Sequence, residues 1–279
     1  MSTMFKRRMA GQFALLMALV VTFALGMTGR VDAQDKLKPG DTFRDCEGCP
    51  EMVVVPAGSF MMGSPESEKD RENDEGPQHE VTVAKPFAVG RFEITRGQFE
   101  EFAKATDFKV DASCSFRDPG VKQTDEHPVV CVSWDDTLTY ARWLSTKTGR
   151  NYRQLTEAEW EYSARADTTT AYATGKTITK KQANIYSSGT VKVGQFAANR
   201  FGLYDMHGNV EEWIRDCYVD SYKDAPLDGS SIKDSNGCRR VLRGGAWYGF
   251  PDWLRSANRF WYQPEFRVNY LGFRLARTL

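Results

Sequence analysis

The chain is poor in several features that would otherwise direct its reading. Neither sign of charge is in excess, with 37 Lys and Arg against 37 Asp and Glu. No basic cluster of the kind that tracks a nucleic-acid backbone is present, so nucleic acid is not an expected partner. Histidine occurs only at 79, 127 and 207, too scattered to complete a zinc site with the Cys46-Glu47-Gly48-Cys49 pair. Beyond residue 33 no apolar run approaches the ~20 residues that cross a bilayer. Internal repeats and low-complexity tracts are missing, which removes solenoid and fibrous architectures. Cysteine is absent after Cys238, so the last forty or so residues hold no thiol.

The N-terminus has the form of a secretory leader. Lys6, Arg7 and Arg8 precede an apolar stretch from Phe13 to Met27, and Val31-Asp32-Ala33 offers a small-residue cleavage site. Residues 1–33 are therefore expected to be a signal peptide, and the protein is expected to be periplasmic or secreted. Losing Lys6, Arg7, Arg8, Arg30 and Asp32 leaves a net charge of −3. Six cysteines in an exported chain favour disulfides. Cys217 with Cys238 and Cys114 with Cys131 would each close a polar loop, which leaves Cys46 with Cys49. That last pair could also be a redox motif or half of a zinc site, although Pro50 and Glu51 do not provide the helix N-terminus or basic setting that lowers a thiol pKa.

Residues 34–50 read as an extended lead-in and 51–279 as one α+β domain. Met52–Val55 is β-branched and bounded by Pro56-Ala57-Gly58, the pattern of a buried strand. Residues 59–63, 81–83 and 87–89 read as further strands. Three helix starts carry capping boxes or a comparable polar cap, at Thr95, Ser133 and Thr156. Phe99, Phe102 and Ala103, then Leu138, Ala141 and Leu144, then Trp160, Ser163 and Ala164 supply their inward faces. Gly149 is the expected stop of the second helix. After residue 170 the pattern is one of short strands and ordered loops.

Several segments in order carry a resemblance: Met52–Ser64, Glu75–His79, Phe92–Thr95, His127–Trp134, Leu155–Glu161, Gly202–Trp213 and the terminal Arg243-Gly244-Gly245-Ala246-Trp247…Gly272-Phe273-Arg274. Together they resemble the formylglycine-generating enzyme, or sulfatase-modifying factor, domain over about 51–277. The resemblance implies a compact fold related to C-type lectin domains, with little regular secondary structure. It also implies a structural calcium ion at Asp205, Gly208, Val210 and Glu212, an oxygen set suited to a hard cation. Asn184 and Ile185 resemble the start of a second, weaker calcium site, whose later ligands fall in a loop shortened here to Ser187-Ser188-Gly189.

Catalytic members of the resembled family hold copper(I) with two cysteines in the terminal motif. Here those positions are Gly249 and Leu254, and Ala246 stands where a serine usually follows the two glycines. Soft thiolates suit Cu(I), so copper is not expected and neither is formylglycine generation. Arg243, Trp247, Tyr248, Gly249, Trp253, Arg255 and Arg259 remain as a candidate ligand groove, aromatic and basic in character. Packing of those aromatics and bracing of loops by the arginines is the competing account. Three functions follow as expectations. The first is a binding or maturation accessory protein acting on an exported protein, peptide or small molecule. The second is an enzyme of different chemistry, as the resemblance implies for relatives without the cysteines that act in oxidative tailoring during siderophore maturation. The third is a carbohydrate-binding module, which would need a calcium ion open to solvent.

Overall fold

A computed structural model of the chain describes residues 37–110, 112–235 and 237–279. The expected signal peptide lies outside the described residues. Residues 37–279 form one compact unit.

The elements, in order, are strands β1 (Thr42–Phe43), β2 (Met52–Val55), β3 (Gly58–Met62), β4 (His79–Val83) and β5 (Phe87–Gly90), then helices α1 (Arg96–Thr106) and α2 (Trp134–Thr148). Strand β6 (Tyr152–Arg153), helix α3 (Glu157–Arg165) and strands β7 (Glu211–Cys217), β8 (Arg240–Arg243), β9 (Phe260–Tyr262), β10 (Leu271–Gly272) and β11 (Ala276–Thr278) complete the chain. Three sheets result, with orders β1-β2-β5-β11-β6, β10-β7-β8-β9 and β3-β4. Met52–Val55 is buried on both faces, as a continuous apolar run requires. The lead-in is part of the fold rather than a tail: Thr42 pairs with Val53 across β1 and β2, and Asp45 accepts the Tyr152 hydroxyl at 2.6 Å.

All three helices begin with the reciprocal bonds of a capping box. Thr95 and Gln98 exchange theirs at 3.2 and 3.0 Å, Ser133 and Asp136 at 3.2 and 3.0 Å, Thr156 and Glu159 at 3.1 and 3.0 Å. Each cap contributes about 1 kcal/mol. α2 stops at Gly149, whose φ of 68° is the left-handed turn glycine tolerates. α3 is buried at every residue from Glu157 to Arg165, its charges included. The short strands expected after residue 170 do not form between 170 and 210. Side chains satisfy the backbone there instead: Asn199 Nδ2 donates to Ser163 O at 2.8 Å while its Oδ1 accepts from Phe201 N and Leu203 N.

Disulfides join Cys46 to Cys49, Cys114 to Cys131 and Cys217 to Cys238. Cys46–Cys49 thus closes on itself, and no free thiol remains among the described residues. No helix among them is long and apolar enough to cross a membrane.

Candidate functional site

The terminal motif places four arginines inside the protein, each against a glutamate distant in sequence. Arg255 clasps Glu75 at 2.7 and 2.6 Å and reaches Glu68 at 3.1 Å. Arg259 clasps Glu157 at 2.7 and 3.1 Å and donates to the carbonyls of Asp74 and Val219. Arg243 pairs with Glu161 and donates to the carbonyls of Ser256, Ala257 and Asn258. Arg274 holds Glu212. Burial alone would raise the Glu75 and Glu157 carboxyls, but their guanidinium partners outweigh it and hold both below the usual carboxylate range. Arg243, Arg255 and Arg259 were expected in an open groove. Most of their donors go to these buried partners, which makes them a wall behind the motif; Arg243 Nε and Arg255 Nε are buried without a partner, and Arg255 also lines a cavity of about 640 Å³.

Gly249 and Leu254, at the two positions where the family's catalytic members carry cysteines, have structural roles. Gly249 N closes a tight turn on Ala246 O at 2.8 Å, and a Cβ at 249 would lie 2.9 Å from that oxygen. Leu254 is fully buried with Tyr172, Ile178, Ala183 and Ile185. His207 fastens this segment from below. Its Nδ1–H donates to Leu254 O at 2.8 Å, and its Nε2 accepts from Ala173 N at 3.0 Å. Burial lowers the His207 pKa to about 4, so the ring is neutral.

Outside this wall the motif presents aromatic rings in sequence. Tyr186 meets Phe250 at 5.4 Å, Phe250 meets Trp253 at 5.3 Å, and Trp253 meets Tyr248 at 5.8 Å. Tyr248 continues to Trp247 at 5.4 Å and to Tyr270 at 4.6 Å. The Tyr270 hydroxyl lies 2.8 Å from that of Tyr262, which stacks on Phe266 at 4.1 Å. Phe250 is 50% and Trp253 38% exposed, large values for such rings. Trp247, Tyr248 and Trp253 therefore share one face.

Beneath this face lies Glu211, which the sequence reading did not single out. Its side chain is buried and Oε2 has no hydrogen-bond partner. Desolvation raises its pKa to about 8, and its charge contributes to pushing up the phenols of Tyr248 and Tyr262. A periodicity of two could have found it, since Glu211 shares a strand face with the buried Trp213.

The segment expected to bind calcium is tightly wound, with left-handed φ values of 55° at Asp205, 86° at Gly208 and 63° at Asn209. Its ligands differ in availability. The Glu212 carboxylate accepts from Arg274 and, at 2.9 Å, from Trp160 Nε1. Asp205 Oδ2 accepts from Gly194 N at 2.6 Å, but its Oδ1 is buried without a partner. Glu93 is in the same condition: Oε1 accepts from Asn209 Nδ2 at 3.2 Å and Oε2 has none. Burial first, then the neighbouring Asp205 charge, pushes the Glu93 carboxyl well above its ordinary value. Two orphaned buried carboxylate oxygens fit a hard cation. Val210 is buried between Val130 and Cys131. Asn184 Nδ2 is bonded to Gly189 O and Asn209 Oδ1, and Ile185 packs in the core under Leu254. Asp205 and Glu212 are 8% and 1% exposed, so neither faces solvent as a calcium-dependent sugar contact requires.

The fold and this motif define a class. The chain belongs to the sulfatase-modifying factor enzyme 1-like family, whose model matches residues 38–279. Its α+β domain has that family's C-type-lectin-like fold. The solved structure of PvdO from Pseudomonas aeruginosa is similar, with a TM-score of 0.82 and 44% identity, covering 88% of this chain and 100% of that one. The inactive C-alpha-formylglycine-generating enzyme 2 of Mus musculus is 29% identical over 82% of this chain and 86% of its own length. The chain is 32% identical to the serine/threonine-protein kinase pkn1 of Chlamydia caviae over 88% of its own residues, but spans only 40% of that protein.

Proposed function

We propose that this chain is an exported, calcium-holding member of its family that does not make formylglycine and serves in maturation. Its aromatic face from Tyr186 to Phe266 takes an aromatic group of an exported peptide, protein or small molecule. The observation that carries this reading is the uninterrupted run of partly exposed rings around a turn that has no thiol. Aromatic rings at this density bind by stacking and apolar burial. The arginines hold the platform rigid, so the face is formed before any ligand arrives.

A second reading, an exported tailoring enzyme with chemistry other than thiol–copper oxidation, is favoured by Glu211. A carboxyl kept largely protonated near neutral pH is suited to proton transfer at a bound group.

The test places a photoreactive benzoylphenylalanine at position 250 of the exported chain in its native host. A crosslinked species of discrete mass that disappears in Trp253→Ala supports the face as the binding site. Crosslinks that persist unchanged in Trp253→Ala, or none at all, would sink it. A macromolecular adduct indicates the accessory role and a small-molecule adduct the tailoring role. In a separate arm, a Cys-x-Pro-x-Arg peptide with copper and oxygen is expected to gain no aldehyde.

A further inference from the structure

Resting on the aromatic-face reading above, we infer that the group this face takes is a flat aromatic cation of a small molecule, held by rings that the protein leaves without a cation of its own. Elsewhere in the fold, arginine and lysine cover the tryptophans. Arg240 Cζ lies 3.6 Å from the Trp134 ring centre, Arg239 Cζ 4.0 Å from Trp261, Lys147 Nζ 5.0 Å from Trp143 and Arg243 Cζ 5.2 Å from Trp160. The other three of the seven tryptophans carry no such cation among the described residues. Trp213 is sealed in the core at 1% exposure, with its Nε1 donating to Val132 O. Trp247 and Trp253 stand on the face, joined through Tyr248.

The neighbouring rings are in the same condition. Phe250 and Phe266 are exposed, and no arginine or lysine among the described residues lies over either. An aromatic ring presents a negative face, and its attraction for a cation grows as water is displaced. Lys180 shows that the run accepts positive charge: its Nζ lies 5.6 Å from the Tyr186 ring centre, at the far end from Tyr248, and donates to Tyr186 O at 3.0 Å. Tyr186 holds a φ of 48°, a left-handed conformation that costs a residue with a side chain. The fold imposes that placement, with Tyr186 N donating to Gly249 O at 3.4 Å and Ser187 N to Trp247 O at 2.8 Å. The rings between Tyr186 and Tyr248 are thus fixed in place and left uncovered.

The charges around the face point the same way. Arg267, next to Phe266, is clasped by Asp136. Arg243, Arg255 and Arg259 are paired with buried glutamates. The carboxyls, by contrast, are left over. Glu211 is buried with no ion pair, and its charge acts on the Tyr248 and Tyr262 phenols. Glu265, beside Phe266, is exposed and makes no ion pair among the described residues. An anion therefore finds no cation over the central rings, and a neutral ligand leaves both the ring faces and Glu211 without a counter-charge. The guanidinium of a peptide arginine supplies charge but covers little of the exposed ring area. A flat aromatic cation supplies apolar surface and charge together, as the protein's own guanidinium planes do over Trp134 and Trp261.

The experiment titrates the full mature chain at neutral pH with three probes of one shape: cationic benzamidine, neutral benzamide and anionic benzoate. Quenching of tryptophan fluorescence and calorimetry read the binding independently. Wild type should bind benzamidine roughly tenfold more tightly than benzamide, and benzoate more weakly than either. Trp253→Leu keeps an apolar side chain but removes the ring face, so benzamidine should fall to within about threefold of benzamide, with the urea midpoint unchanged. If Trp253→Leu does not fold, Phe250→Leu replaces it with the same expectation. Equal wild-type affinity for benzamide and benzamidine, both lost in Trp253→Ala, overturns this inference and leaves the aromatic face standing. A preference for benzamidine that persists undiminished in Trp253→Leu overturns it as well, since the cation then sits elsewhere. N-acetylarginine amide binding more tightly than benzamidine also overturns it and assigns the face to a peptide side chain. Binding of none of the probes overturns it too, and the crosslink at position 250 decides the face reading separately.

Discussion

Replacing Arg259 with methionine distinguishes a wall-building arginine from a ligand-binding one. The substitution retains most of the side-chain volume but leaves Glu157 buried with only the Tyr222 hydroxyl, at 3.0 Å, as a close donor. Arg243 Nη1, at 3.8 Å, is too distant to replace the clasp. Breaking a buried ion pair from one side costs about 3–5 kcal/mol. The carbonyls of Asp74 and Val219, which Arg259 reaches at 2.7 and 2.8 Å, each lose a donor and add about 1 kcal/mol apiece. A destabilisation of about 5–7 kcal/mol is therefore expected, a large share of the roughly 5–15 kcal/mol available to a domain. Urea unfolding at neutral pH, followed by tryptophan fluorescence, measures it. Arg259→Met/Glu157→Gln should recover about 2 kcal/mol or more, because the stranded charge is then gone. A single-variant loss below about 1 kcal/mol, the range of surface substitutions, would refute the wall and return Arg259 to the groove.

Two further outcomes follow from the same geometry. Cys217→Ser/Cys238→Ser opens a loop with a sequence separation of 21, for which the chain-entropy model gives about 3 kcal/mol; an unchanged urea midpoint would show that the bridge constrains nothing. His207 has a folded-state pKa of about 4 against about 6.5 when unfolded. The unfolded chain therefore takes up the proton first as pH falls, and stability declines from about pH 6.5 to about 4, by ~3 kcal/mol in all. Glu211 works in the opposite direction, since its raised pKa removes stability as pH rises from about 4.5 toward 8. The comparison is accordingly between wild type and His207→Gln across pH 4.5–6.5, and equal slopes would refute the histidine's share.

What was legible in the sequence was mostly local. The capping boxes at Thr95, Ser133 and Thr156 need only residues three apart, and each was read correctly. Met52–Val55 announced its burial by composition alone. The arginine–glutamate pairs were not legible, because Arg255 and Glu75 are 180 residues apart and Arg259 and Glu157 are 102. Nothing in a linear pattern separates a guanidinium that binds a ligand from one that binds its own fold. For the same reason the full burial of α3 was not legible: its acidic residues give no sign that arginines from the terminal motif cover them. Glu93 and Glu211 carry no linear signal of their own, because each is flanked by motif residues and its burial arises only in three dimensions. The aromatic face was anticipated in composition, but its continuity depends on Tyr186, Tyr262, Phe266 and Tyr270, which converge only in three dimensions.

The position of β11 has a consequence for how the protein comes into being. Residues 276–278 lie between β5 and β6, pairing Ala276 with Val89 on one side and with Arg153 on the other. The five-stranded sheet therefore cannot close until that tripeptide has left the ribosome. Until then one edge of β5 and the whole of β6 are unpaired, and Glu75, Glu157, Glu161 and Glu212 await arginines from the terminal motif. Pairing partners and counter-ions for the N-terminal half are thus supplied by residues 240–278, which ties the closing of the sheet and the neutralising of the buried carboxylates to one segment.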